Sequence, residues 1–330
     1  MLDIIIPAYK DPDGLRRTLK SVYCPKFDWI KVTVVDDCSP IKYDDIEKEF
    51  PNVTFYHLSE NHGPGYARQF GIEHTSEPYF FFIDCGDTFL SKYLFLEVRD
   101  TLRKYSDRYL FLWVWIREGG HLSDKRTRST QGWVYARKFF DLYNVKFCTN
   151  KLGGYSNEDV GFNHTCTTII KSLELRDNKL YSCFSDIPIY RKVHNDDSLT
   201  CRVNYIIEKQ IPGLVTNAIQ CIHQLEDANI DTETLVEEIN ILMFSLYKDF
   251  LRCAKYGTPL LQSHWELIRK FYFEIYQRYE DLEENEININ RNMGWYLKEL
   301  KEFIATPNIR RFLRELKDNK NCPEHYINLR

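Results

Sequence analysis

Four short runs of this chain carry residues whose types and spacing can do chemistry. Asp36 and Asp37 close the apolar run IKVTVV at 30–35, and Asp84 and Asp87 follow the run YFFFI at 79–83. Carboxylates at strand ends can hold a base, a ribose or a divalent cation, because magnesium and manganese take oxygen ligands and share them with substrate phosphates. Asp at a strand end also serves turns and helix N-caps. The turn Asn61-His62-Gly63-Pro64-Gly65 opens onto Ala67-Arg68-Gln69-Phe70-Gly71-Ile72. Helix N-termini attract phosphate and Arg68 can pair with it, although the same Arg is also an ordinary surface residue of a helix. The glycine spacing is not that of the dinucleotide fingerprint. In Asn157-Glu158-Asp159 two adjacent carboxylates point in different directions on a helix. One of them can serve as general base on a hydroxyl, or both can simply complement the helix dipole. In the run from Tyr190 to Ser198, Arg191, Lys192 and Ser198 can steady a diphosphate, and His194 is either a neutral metal ligand or a structural imidazole.

The elements that must position these residues alternate between two periods. Residues 2–6, 30–35, 53–58 and 79–83 read as buried strands, and residues 13–23, 43–50 and 64–75 as helices between them. This alternation predicts a parallel sheet with covering helices, which binds ligands beyond the carboxyl ends of its strands. Residues 109–116 read as a further strand, 133–143 as a strand or helix, and 157–172 as a helix. The polar segment 117–131, with His121, Arg126 and Arg128, is either a lid or a solvated loop. Trp133 and Tyr135 suit either the faces of sugar rings or the core. Beyond about residue 203 the strand pattern stops, and helical periodicity runs through 203–225, 232–256, 260–282, 293–304 and 307–317. Two domains follow: residues 1–202 and a helical region over 203–330.

Composition limits the partners. With 44 Lys and Arg against 48 Asp and Glu, the net charge of −4 disfavours nucleic acid as a partner. The ten cysteines form no CxxC pair and no zinc spacing, which predicts reduced thiols. No apolar stretch approaches the ~20 residues needed to span a bilayer, and Met1 leads straight into an apolar run with no signal segment, so a cytoplasmic location is expected.

Taken in order, the pieces IIIPAYK (4–10), VVDDCS (34–39), NHGPGYARQFGI (61–72), FFIDCGDTF (81–89), QGWVYARKFFDLYNVKF (131–147), NEDVGF (157–162) and YRKVHNDDS (190–198) resemble the family 2 glycosyltransferases. The resemblance covers roughly residues 1–200. It implies a GT-A fold, Rossmann-like, with a mixed, mainly parallel sheet flanked by helices, and within residues 1–202 nucleotide-sugar binding over about 1–110 and an acceptor side over about 111–202. It implies a nucleotide-sugar donor, UDP-linked or similar, a divalent cation (Mn2+ or Mg2+) and inversion in one displacement. Residue by residue, it implies that Pro7, Ala8 and Tyr9 line the nucleotide pocket and that Asp36 and Asp37 touch base and ribose. Asn61, Gly65, Cys85, Gly86 and Arg191 join the donor site, with Arg68 near the diphosphate. Asp84, Asp87 and His194 would bind the metal, and Asp159 would be the catalytic base with Glu158 beside it. The chain departs from the family's Asp-x-Asp-Asp run, since Gly86 stands in Asp84-Cys85-Gly86-Asp87. The expected acceptor is a glycan or a cell-wall or surface polysaccharide. The alternatives are a modified DNA base, a protein side chain, or a non-catalytic nucleotide-sugar binder on a degenerate GT-A fold. The helical region can bind acceptor, dock on a membrane face or mediate self-association into a homo-oligomer.

Overall fold

The computed structural model describes residues 1–117, 129–193, 210–253, 258–275 and 278. His121, Arg126, Arg128, His194, Ser198 and the expected helices at 293–304 and 307–317 lie outside the described residues. The chain divides into two compact units, Met1–Asp196 and Asp197–Arg330.

The first unit is built on one sheet. Its first strand, β1 (Leu2–Ala8), is buried along its whole length, as a continuous β-branched run in the centre of a parallel sheet must be. Helix α1 (Pro12–Val22) starts where the Asp11 carboxylate accepts the Gly14 amide at 2.8 Å, with Pro12 in the first helical turn. Then come β2 (Ile30–Asp36), α2 (Asp44–Glu49), β3 (Thr54–His57), α3 (Pro64–Glu73) and β4 (Tyr79–Phe82). Strands β3, β2, β1 and β4 lie side by side and all run parallel. The register pairs Ala8 with Asp36 and Asp36 with His57, so the carboxyl ends of three strands share one edge.

The sheet then changes sense. Strand β7 (Trp133–Ala136) pairs antiparallel with β4 and with β6 (Leu110–Arg117), β8 (Ser182–Lys192) runs parallel to β6, and the two-residue β5 (Thr88–Phe89) closes the far edge. The purely alternating reading of the first 83 residues thus extends into a mixed, mainly parallel sheet. Three elements beyond that reading complete it: β5, helix α4 (Leu94–Lys104) and β8. The segment 133–143 is both strand and helix, β7 followed by α5 (Arg137–Tyr143). Trp133 and Tyr135 both enter the core, and Tyr135 stacks on Phe80 at 5.2 Å. The last helix of this unit, α6 (Glu158–Asp177), begins after Asn157 in the left-handed region (φ 59°), which Asn tolerates better than most residues.

In the second unit, α7 (Ile211–Asp227), α8 (Thr232–Cys253) and α9 (Thr258–Glu274) follow one another. Each buries a stripe at helical spacing, such as Ile211, Val215, Ile222 and Leu225, or Trp265, Ile268, Phe271 and Tyr272. No helix among the described residues is long and apolar enough to cross a membrane. The seven cysteines whose side chains are described are free thiols.

Helix α3 lies directly on β1 at Gly71, where a Cβ would sit 2.4 Å from Ile5 Cγ2. Ile5 is fully buried and its β-branched side chain is stiff. Replacing Gly71 by Ala should therefore destabilise the protein by about 1–3 kcal/mol. Helix propensity alone would predict a gain of about 1 kcal/mol. A urea titration decides between the two, and a raised midpoint would contradict the close packing described.

Candidate active site

Two groups of predicted residues gather along the carboxyl edge of the parallel strands. The first surrounds Asp36 and Asp37. Asp37 Oδ2 accepts from the Asn61 amide at 2.8 Å and the Gly63 amide at 2.7 Å, while Oδ1 accepts the His62 amide at 2.8 Å. Burial pushes this carboxyl up, against the pull of those backbone donors. Asp37 thereby shapes the turn before α3, where Gly63 adopts φ 91° and Pro64 begins the helix. The Tyr155 hydroxyl closes the same corner, 2.7 Å from both the carbonyl and the side-chain oxygen of Asn61. Asp36 Oδ1 accepts the Ser39 amide at 3.0 Å, and its Oδ2 meets His57 Nδ1 at 3.0 Å. Pro7 and Ala8 end β1 beside this group; Ala8 O accepts the Asp37 amide at 2.9 Å. Tyr9 is exposed, with the Lys10 ammonium 4.6 Å above its ring.

The second group is held by a buried arginine. Arg68, in the second turn of α3, donates from Nη1 to Glu158 Oε1 at 2.6 Å and from Nη2 to Asp84 Oδ1 at 2.7 Å. Gly65 lets the two helix starts approach, since a Cβ there would lie 2.7 Å from Cys148 O and 3.0 Å from Glu158 Cβ. The Arg68 guanidinium lies 5.9 Å from the Phe147 ring, and Phe147 stacks on Phe162 at 3.9 Å, which walls this side from water. Asp84 Oδ2 accepts a second side-chain bond, from Gln131 Nε2 at 2.9 Å. Beside Glu158, Asp159 Oδ1 accepts the Val160 amide at 2.9 Å.

Electrostatics then separates acids of similar type. Burial alone would raise Asp84, but Arg68, Lys192 and the bonds from Arg68 and Gln131 outweigh it and hold the carboxyl below the usual range. Burial and the adjacent Asp159 push Glu158 up despite Arg68. Asp159 is also raised, by burial and by Asp84, against the pull of Arg68 and Lys192. The site thus holds one firmly ionised carboxylate and two with increased proton affinity.

Asp87 faces elsewhere. Its Oδ2 accepts from the Tyr190 hydroxyl and its Oδ1 from the Val193 amide at 2.8 Å, so it tethers β8 to the turn after β4. Burial and the Asp84 charge push Asp87 up to about 7. The turn itself explains Gly86. The Asp87 amide bonds to Asp84 O at 3.0 Å, and Gly86 sits at φ 101°, a conformation a third carboxylate-bearing residue would strain to adopt. The Gly86 carbonyl accepts Arg17 Nε at 2.9 Å, and half-buried Cys85 lies 3.4 Å from Asp11 O. Arg191 is exposed on β8 opposite Thr88. Among the described residues no three His, Cys, Asp or Glu side chains gather as a metal site. Gln131 joins the site without having been singled out as a candidate, because a lone Gln carries no motif. Lys192, read from the sequence as a residue that can steady a diphosphate, acts on Asp84 and Asp159 from the end of β8, a strand that the sequence pattern did not reveal.

The profile of glycosyl transferase family 2 matches residues 3–161. These residues belong to glycosyl transferase family 2. The chain therefore carries a glycosyltransferase domain, and its sheet has the GT-A form. TarS from S. aureus, residues 1–349 in complex with UDP-GlcNAc, superposes with a TM-score of 0.55 at 15% identity, over 85% of this chain and 91% of that one. The same fragment in complex with UDP gives 0.52 at 16% identity, over 88% and 94%. A longer TarS structure gives 0.53 at 18% identity over 72% of this chain, which spans only 43% of that protein. No curated protein sequence matches significantly.

The His57 bridge gives this glycosyltransferase domain a pH signature. Nδ1 meets Asp36 Oδ2 and Nε2 meets Glu47 Oε1, both at 3.0 Å, and an imidazole can donate from both nitrogens only when protonated. Burial opposes the proton, but the bonds and charges of Asp36 and Glu47 outweigh it and raise the pKa. Because the folded value lies above the unfolded one, this stabilisation is complete below the unfolded pKa of about 6.5 and fades as pH rises through the folded value. The stability advantage of the wild type over His57→Gln should shrink as pH rises above about 6.5 in denaturant titrations. A difference that does not change with pH would contradict the bridge.

Proposed function

We propose that this enzyme transfers a sugar from a nucleotide-sugar donor, of the UDP class, to a hydroxyl of a glycan or surface polymer, with inversion by a single displacement. The observation that carries the reading is the Arg68 bridge, which ties Asp84 on the nucleotide-side strand end to Glu158 next to Asp159. A donor and an acceptor brought together there would have an ionised carboxylate on one side and a proton-accepting carboxylate on the other. The fold shared with TarS in complex with UDP-GlcNAc and with UDP supports the donor class.

In this reading Asp159 Oδ2, which has no partner among the described residues, takes the proton of the attacking hydroxyl. A hydroxyl is a poor nucleophile at neutral pH, and such help contributes about 10²–10⁴-fold in rate. Glu158 keeps Arg68 in place and raises the proton affinity of the pair. Asp36, Asp37 and Asn61 form the corner for base and ribose.

Of the acids at this edge, Asp84 fits a divalent cation. It is part-exposed at 30%, ionised, and among the described residues each of its oxygens has one side-chain partner, which leaves room for a further interaction. A cation held by Asp84, with diphosphate oxygens as further ligands, would neutralise charge on the departing nucleoside diphosphate. Asp87 is turned to Tyr190 and the Val193 amide, so Asp84 is the acid we assign to that role.

A panel of nucleotide sugars with manganese tests the reading by thermal shift and by turnover. A donor at about 100 times its Kd should stabilise the protein by about 2.7 kcal/mol. Asp159→Asn should keep that shift while kcat falls at least about 10²-fold. Near-normal turnover in Asp159→Asn would remove Asp159 from the role, and no response to any donor would overturn the transferase reading.

A further inference from the structure

Gln131 sits at the mouth of β7 with 4% of its surface exposed. Its Nε2 faces Asp84 Oδ2 at 2.9 Å. An ionised carboxylate only accepts, so the nitrogen must face Asp84 and the amide oxygen must point the other way. That oxygen, Oε1, is buried and has no hydrogen-bond partner among the described residues. Buried polar atoms in native proteins are nearly always paired, and one left without a partner is costly.

The backbone around it is fixed. The Trp113 amide donates to Gly132 O at 2.9 Å. Gly132 has φ 80°, and a Cβ there would lie 2.3 Å from Trp113 O. These contacts fix the backbone beside Gln131, and the bond to Asp84 fixes its amide. A second unpaired atom, Arg68 Nε, lies on the other residue that grips Asp84. Both ends of the Asp84 clamp thus carry an unused polar atom, one donor and one acceptor.

Only certain parts of a nucleotide sugar can satisfy a lone carbonyl oxygen. A diphosphate at neutral pH offers no hydrogen to give, and the base and ribose belong to the Asp36–Asp37 corner. The ring hydroxyls of the sugar remain, with the amide N–H where the sugar is N-acetylated, and the hydroxyls are the donors that every hexose offers.

We infer that Gln131 is a specificity-determining residue whose Oε1 accepts a hydrogen bond from one hydroxyl of the transferred sugar, an inference that rests on the nucleotide-sugar reading above. The Asp84 carboxylate fixes the orientation of the amide, and the amide selects the sugar. The inference concerns recognition, not bond making.

The test uses the full chain with UDP-N-acetylglucosamine, or the UDP-hexose that the donor panel selects, together with its mono-deoxy and mono-deoxyfluoro analogues. Wild-type kcat/KM should fall at least about 10²-fold for one deoxy position, because a site built to pair a hydroxyl rejects the analogue that lacks it. The fluoro analogue at that position should lose as much, since fluorine cannot donate. In Gln131→Met the parent donor should weaken, and the penalty for the same deoxygenation should shrink to less than about fivefold, the signature of a shared interaction. If Gln131→Met does not fold, the deoxy and deoxyfluoro profile of the wild type decides. A flat profile, with every deoxy donor turned over within about threefold of the parent, overturns the inference while leaving the transferase reading intact. An unchanged deoxy penalty in Gln131→Met also overturns it. So does rescue of that variant by added manganese, which would make the amide a cation ligand. Failure of every donor to bind overturns the nucleotide-sugar reading itself, and this inference with it.

Discussion

A guanidinium removed from water must be met by negative charge, and Arg68 is met by two carboxylates from distant parts of the chain. Its bonds to Asp84 and Glu158, at 2.7 and 2.6 Å, join the end of β4 to the start of α6. Each charge would be expensive to bury alone, and together they form a paired and hydrogen-bonded group. The local backbone is arranged around this contact. Gly63 turns the chain at positive φ, Pro64 starts the helix, and Gly65 allows α3 and α6 to approach closely enough for the bridge. Asp37 supports the same turn from behind through three donors.

The bridge also divides the acids by chemistry. Burial pushes every one of these carboxyls toward the neutral form, so the neighbours decide the outcome. Asp84 has Arg68, Lys192 and Gln131 around it and stays ionised. Glu158 and Asp159 lie side by side, and each rises. The proposed displacement, which has to hold a leaving group and accept a proton within one small space, can use such a split. Asp87, only three residues from Asp84, holds β8 in the sheet through Tyr190.

Much of the parallel half was legible in the sequence, because buried parallel strands are continuous β-branched or aromatic runs and their helices carry clear apolar spacing. The far half was not. Strand β8 (SCFSDIPIYRK) mixes Pro188, Asp186 and exposed polar residues, so its pattern is that of a loop until β6 pairs with it. Strand β5 has two residues and no period to read. The orientation of Asp87 depends on Tyr190, 103 residues away, and no local pattern carries that contact. The acid pair at 158–159 was visible as a motif, and its link to Arg68 required the fold. Glycine at 86 looked like a lost ligand and is explained by a turn that needs positive φ.

Arg68 and Glu158 form one buried electrostatic unit, and a double-mutant cycle on stability measures their coupling. Arg68→Met leaves Asp84 and Glu158 uncompensated and should cost about 3–5 kcal/mol. Adding Glu158→Gln removes one of the stranded charges, so the pair of changes should cost less than the sum of the single changes, with a coupling of about 1–3 kcal/mol. Strictly additive losses would show that the two residues do not act as a unit, and the account of the site would fall with them.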